Sequence, residues 1–113
     1  MSDFQDFLKR QYAYVAIGEF KPGKFNEMRH LYEEAVGTYG QGFKGAYLLQ
    51  EPGTDRGISV IFWESIEDME ANHTQVYDQI LAQMSPLFVS PPATHTYELV
   101  CAIDPAHADD SKV

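Results

Sequence analysis

The chain has 113 residues, enough for one domain whose folding buries roughly 60 to 70 % of its surface around a single core. Its 44 % hydrophobic and 13 % aromatic content is that of a packed globule and excludes a largely disordered polypeptide. A net charge of -9, from 17 acidic against 8 basic residues, disfavours phosphate backbones and anionic membrane surfaces as partners.

The single cysteine, Cys101, forbids an intrachain disulfide, which points to a reducing compartment and a cytoplasmic location. Met1 to Arg10 lacks the apolar stretch of a signal peptide, and no segment approaches the roughly 20 apolar residues of a membrane span. Residues 1–11 read as an N-terminal extension, 12–103 as the folded domain and 104–113 as a disordered tail.

Tyr12 to Phe20 is a β-run ended by Lys21-Pro22-Gly23-Lys24. From Phe25 to Tyr39 the apolar positions Phe25, Met28, Leu31, Tyr32, Ala35, Val36 and Tyr39 follow helical spacing, and Gly37 and Gly40 mark the stop. Phe43 to Glu51 and Gly57 to Glu64 form two β-runs joined by Pro52-Gly53-Thr54-Asp55-Arg56, which predicts an antiparallel hairpin.

Ser65 followed by Glu67 and Asp68 predicts a second helix start, with Ile66, Met69, His73, Val76, Tyr77, Ile80 and Met84 continuing one stripe. Pro86 and Pro91-Pro92 end helical structure, and Thr94 to Ile103 alternates as a final strand. The order is that of an α+β, ferredoxin-like βαββαβ sandwich with a four-stranded antiparallel sheet.

Both faces of that sheet are apolar. Val15 and Ile17 oppose Tyr14, Ala16 and Phe20 on strand one, while Ile58, Val60 and Phe62 oppose Ile61 and Trp63 on strand three. Two helices cover one face only, so the second predicts either a homodimer packed sheet to sheet or a cover from Phe4, Phe7 and Leu8 of the N-terminal segment.

The Lys21-Pro22-Gly23-Lys24 turn, the Gly42 to Leu49 strand, Trp63-Glu64-Ser65 before an acidic helix start with His73, and Pro91-Pro92 before the last strand occur in one order. Over Tyr12 to Ile103 this pattern resembles the antibiotic-biosynthesis-monooxygenase-like family of dimeric α+β barrels. The resemblance implies a cofactor-independent oxygenase or a relative with other chemistry, because the fold does not choose among the family's activities.

In polyketide-oxidising relatives a tryptophan at the place of Trp63 is a pocket residue, and an asparagine four positions earlier is replaced here by Ser59. The haem-degrading branch resembles this chain less well, since Ala16, Asn72 and Ala82 stand where it uses an asparagine, a tryptophan and an axial histidine. No cofactor is therefore expected.

The candidate catalytic residues are His73, Trp63 and Ser59, with Tyr32, Met69 and Tyr77 binding substrate. His73 and Tyr77 lie four apart, so an imidazole beside a phenol could relay a proton from a hydroxylated aromatic. Trp63 could stack on that ring or simply cap the core beneath helix two. His30 and Glu34 share the spacing but point to the polar side of helix one, and His95 and Cys101 are too far apart to share an ion, so no metal site is expected. The leading expectation is a monooxygenase for a small hydroquinone or polyphenol-like molecule; the alternative is a dimeric binding or structural barrel whose core fills the same space.

Overall fold

Tyr12–Glu19 forms β1, followed by α1 (Phe25–Gly37), β2 (Phe43–Gln50), β3 (Arg56–Trp63), α2 (Ile66–Ala71), α3 (Gln75–Met84), a 3-10 turn at Ser85–Leu87 and β4 (Ala93–Glu98). The structure is a computed structural model that describes residues 11–103 and Pro105. Phe4, Phe7, Leu8 and the tail expected beyond Asp104 lie outside the described residues, apart from Pro105. One sheet in the order β2-β3-β1-β4, antiparallel throughout, gives the ferredoxin-like architecture.

Register follows from the turns. The β2–β3 loop closes where Glu51 N–H donates to the Arg56 carbonyl at 3.0 Å and Gly53 takes φ +76, a conformation costly for any residue with a Cβ. Tyr14 then lies opposite Ile61, Ala16 opposite Ser59 and Gly18 opposite Gly57, so all six side-chain positions point to the helix side. A bulge between Phe43 and Gly45 absorbs Lys44.

The second helix is not continuous. Asn72 is buried, and its amide accepts from Gly40 N–H at 2.8 Å while donating to the Gln41 and Asp68 carbonyls at 3.2 and 2.7 Å. That side chain satisfies the end of α2 and ties it to the α1–β2 loop, and Thr74 Oγ1 restarts the helix by accepting from Tyr77 N–H at 3.2 Å. The expected single stripe is therefore corrected: Met69, Tyr77, Ile80 and Met84 are buried, whereas Ile66, His73 and Val76 are exposed.

The last strand is also shorter than expected. Tyr12, the first residue of β1, pairs with Glu98, and only Leu99 N–H reaches further, to the Gln11 carbonyl at 2.8 Å. Beyond that point the alternating residues to Ile103 have no strand beside them among the described residues, and Cys101 is exposed outside the sheet.

Two packed clusters hold the helices to the sheet. One joins Phe20, Phe25, Met28, Ala35, Tyr77, Ile80, Met84 and Leu87; the other joins Ile61, Trp63 and Met69, with Tyr39 and Phe43 against it. None of the described helices covers the opposite face. There Ile17, Tyr47, Leu49, Ile58 and Tyr97 are exposed and Val15, Val60 and Phe62 half-buried, an apolar surface of the kind monomers avoid. No helix among the described residues is long and apolar enough to cross a membrane.

Candidate functional site

Between the sheet and helices α1 and α3 lies a cavity of about 450 Å³. Its floor explains its existence: Ala16 beside Ser59 and Gly18 beside Gly57 are four small residues at adjacent helix-facing positions, too short to meet the helices above them. The segment after α3 forms the end wall. It is tied to the loop edge of β1 by hydrogen bonds from Lys21 N–H to the Leu87 carbonyl and from Val89 N–H to the Glu19 carbonyl, at 2.8 and 2.9 Å. Phe88 packs at 4.4 Å against Phe20 with the rings tilted by 38°, and a Cβ on Gly18 would come within 2.8 Å of the Phe88 ring, so glycine is required for this wall to close.

The polar groups inside are hydroxyls. Ser59 Oγ donates to Tyr32 Oη at 3.0 Å, and Tyr32 donates in turn to the Tyr47 carbonyl over a long 3.3 Å. Tyr39 and Tyr77 also line the cavity, their rings 5.6 Å apart, and Tyr14 completes a set of four phenols. Among the described residues lining the cavity there is no carboxylate, imidazole, ammonium or guanidinium group.

Burial is the main influence on these phenols. It pushes Tyr32 and Tyr77 up, opposed in Tyr32 by the hydrogen bond accepted from Ser59 and in Tyr77 by the neighbouring Tyr39 hydroxyl. Tyr39 is pushed far higher, because burial and the neighbouring Tyr77 hydroxyl both favour its neutral form. All three are neutral hydrogen-bonding groups near neutral pH.

Of the six residues singled out from sequence, Ser59, Tyr32 and Tyr77 line the cavity, whereas Trp63, Met69 and His73 do not. Trp63 is 2 % exposed and backs the wall, 4.8 Å from the Tyr39 ring and 5.8 Å from Phe43. Met69 packs beside it. His73 does share a face with Tyr77, stacked at 5.1 Å with the planes 11° apart, but on the solvent side of that ring. His30 and Glu34 are exposed on α1, and among the described residues no three His, Cys, Asp or Glu side chains converge as metal ligands.

Tyr14 and Tyr39 also line the cavity, and the sequence reading did not assign them. Tyr14 could have been found from its alternation with Ala16 and Gly18. Tyr39 lies beyond the α1 terminus, where helical spacing no longer says which way a side chain points.

No family model matches the chain, and no curated protein matches it in sequence. Solved structures match its fold. A proposed antibiotic biosynthesis monooxygenase from Chloroflexus aurantiacus is 18 % identical, with TM-score 0.72 over 83 % of this chain and 97 % of that one. Another from Bordetella bronchiseptica is 16 % identical, with TM-score 0.70 over 81 % and 99 % of the two chains. SnoaB, a cofactor-independent oxygenase from Streptomyces nogalater, is 11 % identical, with TM-score 0.67 over 84 % and 96 %. At these identities the likeness establishes architecture: this chain has the α+β fold of structures described as antibiotic biosynthesis monooxygenases.

Proposed function

We propose that the protein is a cofactor-independent monooxygenase acting on a small, electron-rich aromatic such as a hydroquinone or polyphenol. The carrying observation is the cavity of about 450 Å³ lined by apolar side chains and phenols. It exceeds the roughly 300 Å³ that an aromatic ligand needs, whereas a purely structural barrel would fill that space with side chains.

The reaction balances without an added reductant. A hydroquinone and O₂ give a hydroxyquinone and water: one oxygen atom forms the new C–O bond, and the substrate's two hydrogens and two electrons reduce the other. The protein's part is to hold the ring in a water-poor site, present hydroxyl donors to the developing oxyanion and admit apolar O₂. Ser59, Tyr32 and Tyr77 serve there. Trp63 and Met69 support the wall, and His73 fixes the Tyr77 ring by stacking from outside.

The apolar outer face of the sheet favours a second copy of the chain packed against it, giving a homodimer with one cavity in each protomer. The single cysteine favours a reducing, cytoplasmic setting. A second reading, a binding barrel without catalysis, is favoured by the lack of any acid or base stronger than a phenol in the lining.

Melting temperature measured with hydroquinones, naphthols, anthrones and haemin tests the proposal. A ligand at 100 times its Kd adds about 2.7 kcal/mol, worth on the order of 10 °C for a domain of this size. A rise with phenolic compounds, accompanied by oxygen uptake, supports the oxygenase. A rise without uptake supports the binding barrel, and no rise across the panel removes both.

A further inference from the structure

We infer that Ser59 sets the specificity of the cavity by accepting a hydrogen bond, so that the ligand held there is a neutral aromatic with a hydroxyl or N–H to donate. The inference rests on the cavity being the ligand site, as proposed above, and not on oxygen chemistry. It adds which end of the hydrogen bond the ligand must supply before any reaction begins.

The direction of a two-bond chain carries the argument. Tyr32 Oη lies 3.3 Å from the Tyr47 carbonyl, and a carbonyl offers only lone pairs, so the Tyr32 hydrogen goes there. A tyrosine has a single hydroxyl hydrogen. The 3.0 Å bond between Ser59 Oγ and Tyr32 Oη therefore takes its hydrogen from Ser59. With that hydrogen committed, Ser59 Oγ keeps its own lone pairs, and no other described residue is hydrogen-bonded to it.

The sheet puts those lone pairs within reach of a ligand. Ser59 lies on β3 between Ala16 of β1 and Leu48 of β2, and all three line the cavity. Neither neighbour has a polar side-chain atom to pair with the hydroxyl. Tyr32 comes from α1 and the Tyr47 carbonyl from β2, so three elements hold the chain in place. Turning the Ser59 hydrogen toward a ligand would break its bond to Tyr32, which favours a ligand that brings a hydrogen of its own.

Charge points the same way. Among the described lining residues there is no Lys, Arg or His, so an anion would give up its hydration for an apolar site without a cation. The uncommitted serine lone pairs would repel it further. A phenol is therefore held with its proton on. Tyr14, Tyr39 and Tyr77 carry hydroxyls that can donate or accept, so they suit any second oxygen on the ring and do not set this preference.

Anaerobic equilibrium dialysis of 2-naphthol and of 2-fluoronaphthalene, a near-isostere with no hydrogen to give, measures the contact. Ser59→Ala should weaken 2-naphthol about 3- to 10-fold and leave 2-fluoronaphthalene within about twofold. Tyr32→Phe frees the Ser59 hydrogen. 2-Methoxynaphthalene, which can only accept, should then bind about 2- to 5-fold tighter than to wild type, with 2-fluoronaphthalene unchanged. A merely structural role for either residue would move all three ligands together. Wild-type protein gives a reading that needs no variant: 4-nitrophenol, whose neutral form and anion differ in visible absorption, should keep the neutral spectrum when bound, up to about one pH unit above its solution pKa.

An anion spectrum for bound 4-nitrophenol overturns the inference with wild-type protein alone. Equal losses of 2-naphthol and 2-fluoronaphthalene in Ser59→Ala do the same. Failure of all four compounds to bind wild type overturns the cavity reading and the inference with it. A selective loss of 2-naphthol in a protein that consumes no oxygen with any phenol supports the inference and removes the oxygenase.

Discussion

Trp63→Ala should unfold the protein more readily without touching the ligand. The indole is 2 % exposed and packs edge-on against Tyr39 at 4.8 Å and Phe43 at 5.8 Å, with Met69 beside it. Truncating such a side chain costs about 3 to 5 kcal/mol from lost transfer energy and the cavity left behind. Each aromatic pair accounts for about 0.5 to 1.5 kcal/mol of that loss. In a domain of this size the melting temperature should fall by on the order of 15 to 30 °C. Trp63→Phe keeps a ring against Tyr39 and should lose only about 1 to 3 kcal/mol. Its affinity for 2-naphthol, measured calorimetrically well below the melting range, should stay within about threefold of wild type, a difference of under 1 kcal/mol. A folded Trp63→Phe protein that loses more than tenfold in affinity would refute the reasoning, because the indole would then be touching the ligand.

Asn72→Ala removes three hydrogen bonds to the Gly40 N–H and the Gln41 and Asp68 carbonyls, and should cost about 1 to 3 kcal/mol in urea denaturation. Gly18→Ala drives a Cβ to 2.8 Å from the Phe88 ring and 3.2 Å from Pro92, so it should weaken naphthol binding by reshaping the end wall while costing about 1 to 3 kcal/mol of stability. Ile58→Asp, on the face away from the described helices, should convert a dimer to a monomer in analytical ultracentrifugation; an unchanged sedimentation coefficient contradicts sheet-to-sheet packing. Alkaline pH should destabilise the fold. Tyr32, Tyr39 and Tyr77 keep protons in the folded state that the unfolded chain releases from its ordinary value of 10.0, so their contribution is complete below that pH and lost above it. The slope is up to about 1.4 kcal/mol per pH unit per tyrosine, less where solvent screens the ring. Tyr39→Phe should flatten it; a urea midpoint that ignores pH above about 10 would show that burial is not holding these protons.

The sheet was legible because its signals are local and redundant. Apolar runs bounded by Pro22-Gly23 and Pro52-Gly53 give β1 and the β2–β3 hairpin, and alternation on β1 and β3 assigns both faces, so the uncovered apolar surface follows directly. Where the sequence misled, a distant partner decided. Leu99 to Ile103 alternates like a strand but runs past the start of β1, and among the described residues it has no strand to form a ladder with.

Asn72 and Thr74 sit within a helical stripe, yet the amide prefers the backbone of the α1–β2 loop, thirty residues away in sequence, to a place in a continuous helix. The same limit applies to the site. Ser59, Tyr32 and Tyr77 were identifiable as helix-side or sheet-side residues of the right chemistry. Trp63 looked like a platform because it shares a face with Ser59. The small floor of Ala16, Gly18, Gly57 and Ser59 opens the cavity toward Phe88 and away from Trp63, and that depends on which residues become neighbours across β1 and β3.

The most direct test of the central claim is oxygen labelling. The protein is incubated with heavy-isotope O₂ and whichever phenolic compound raises its melting temperature most, and product and solvent are analysed by mass spectrometry. The account predicts one labelled oxygen in the product, the other in water, at a rate above the protein-free control and lowered in Tyr77→Phe. A ligand that binds tightly yet takes up no label above that control would contradict the oxygenase and identify the cavity as a binding site alone.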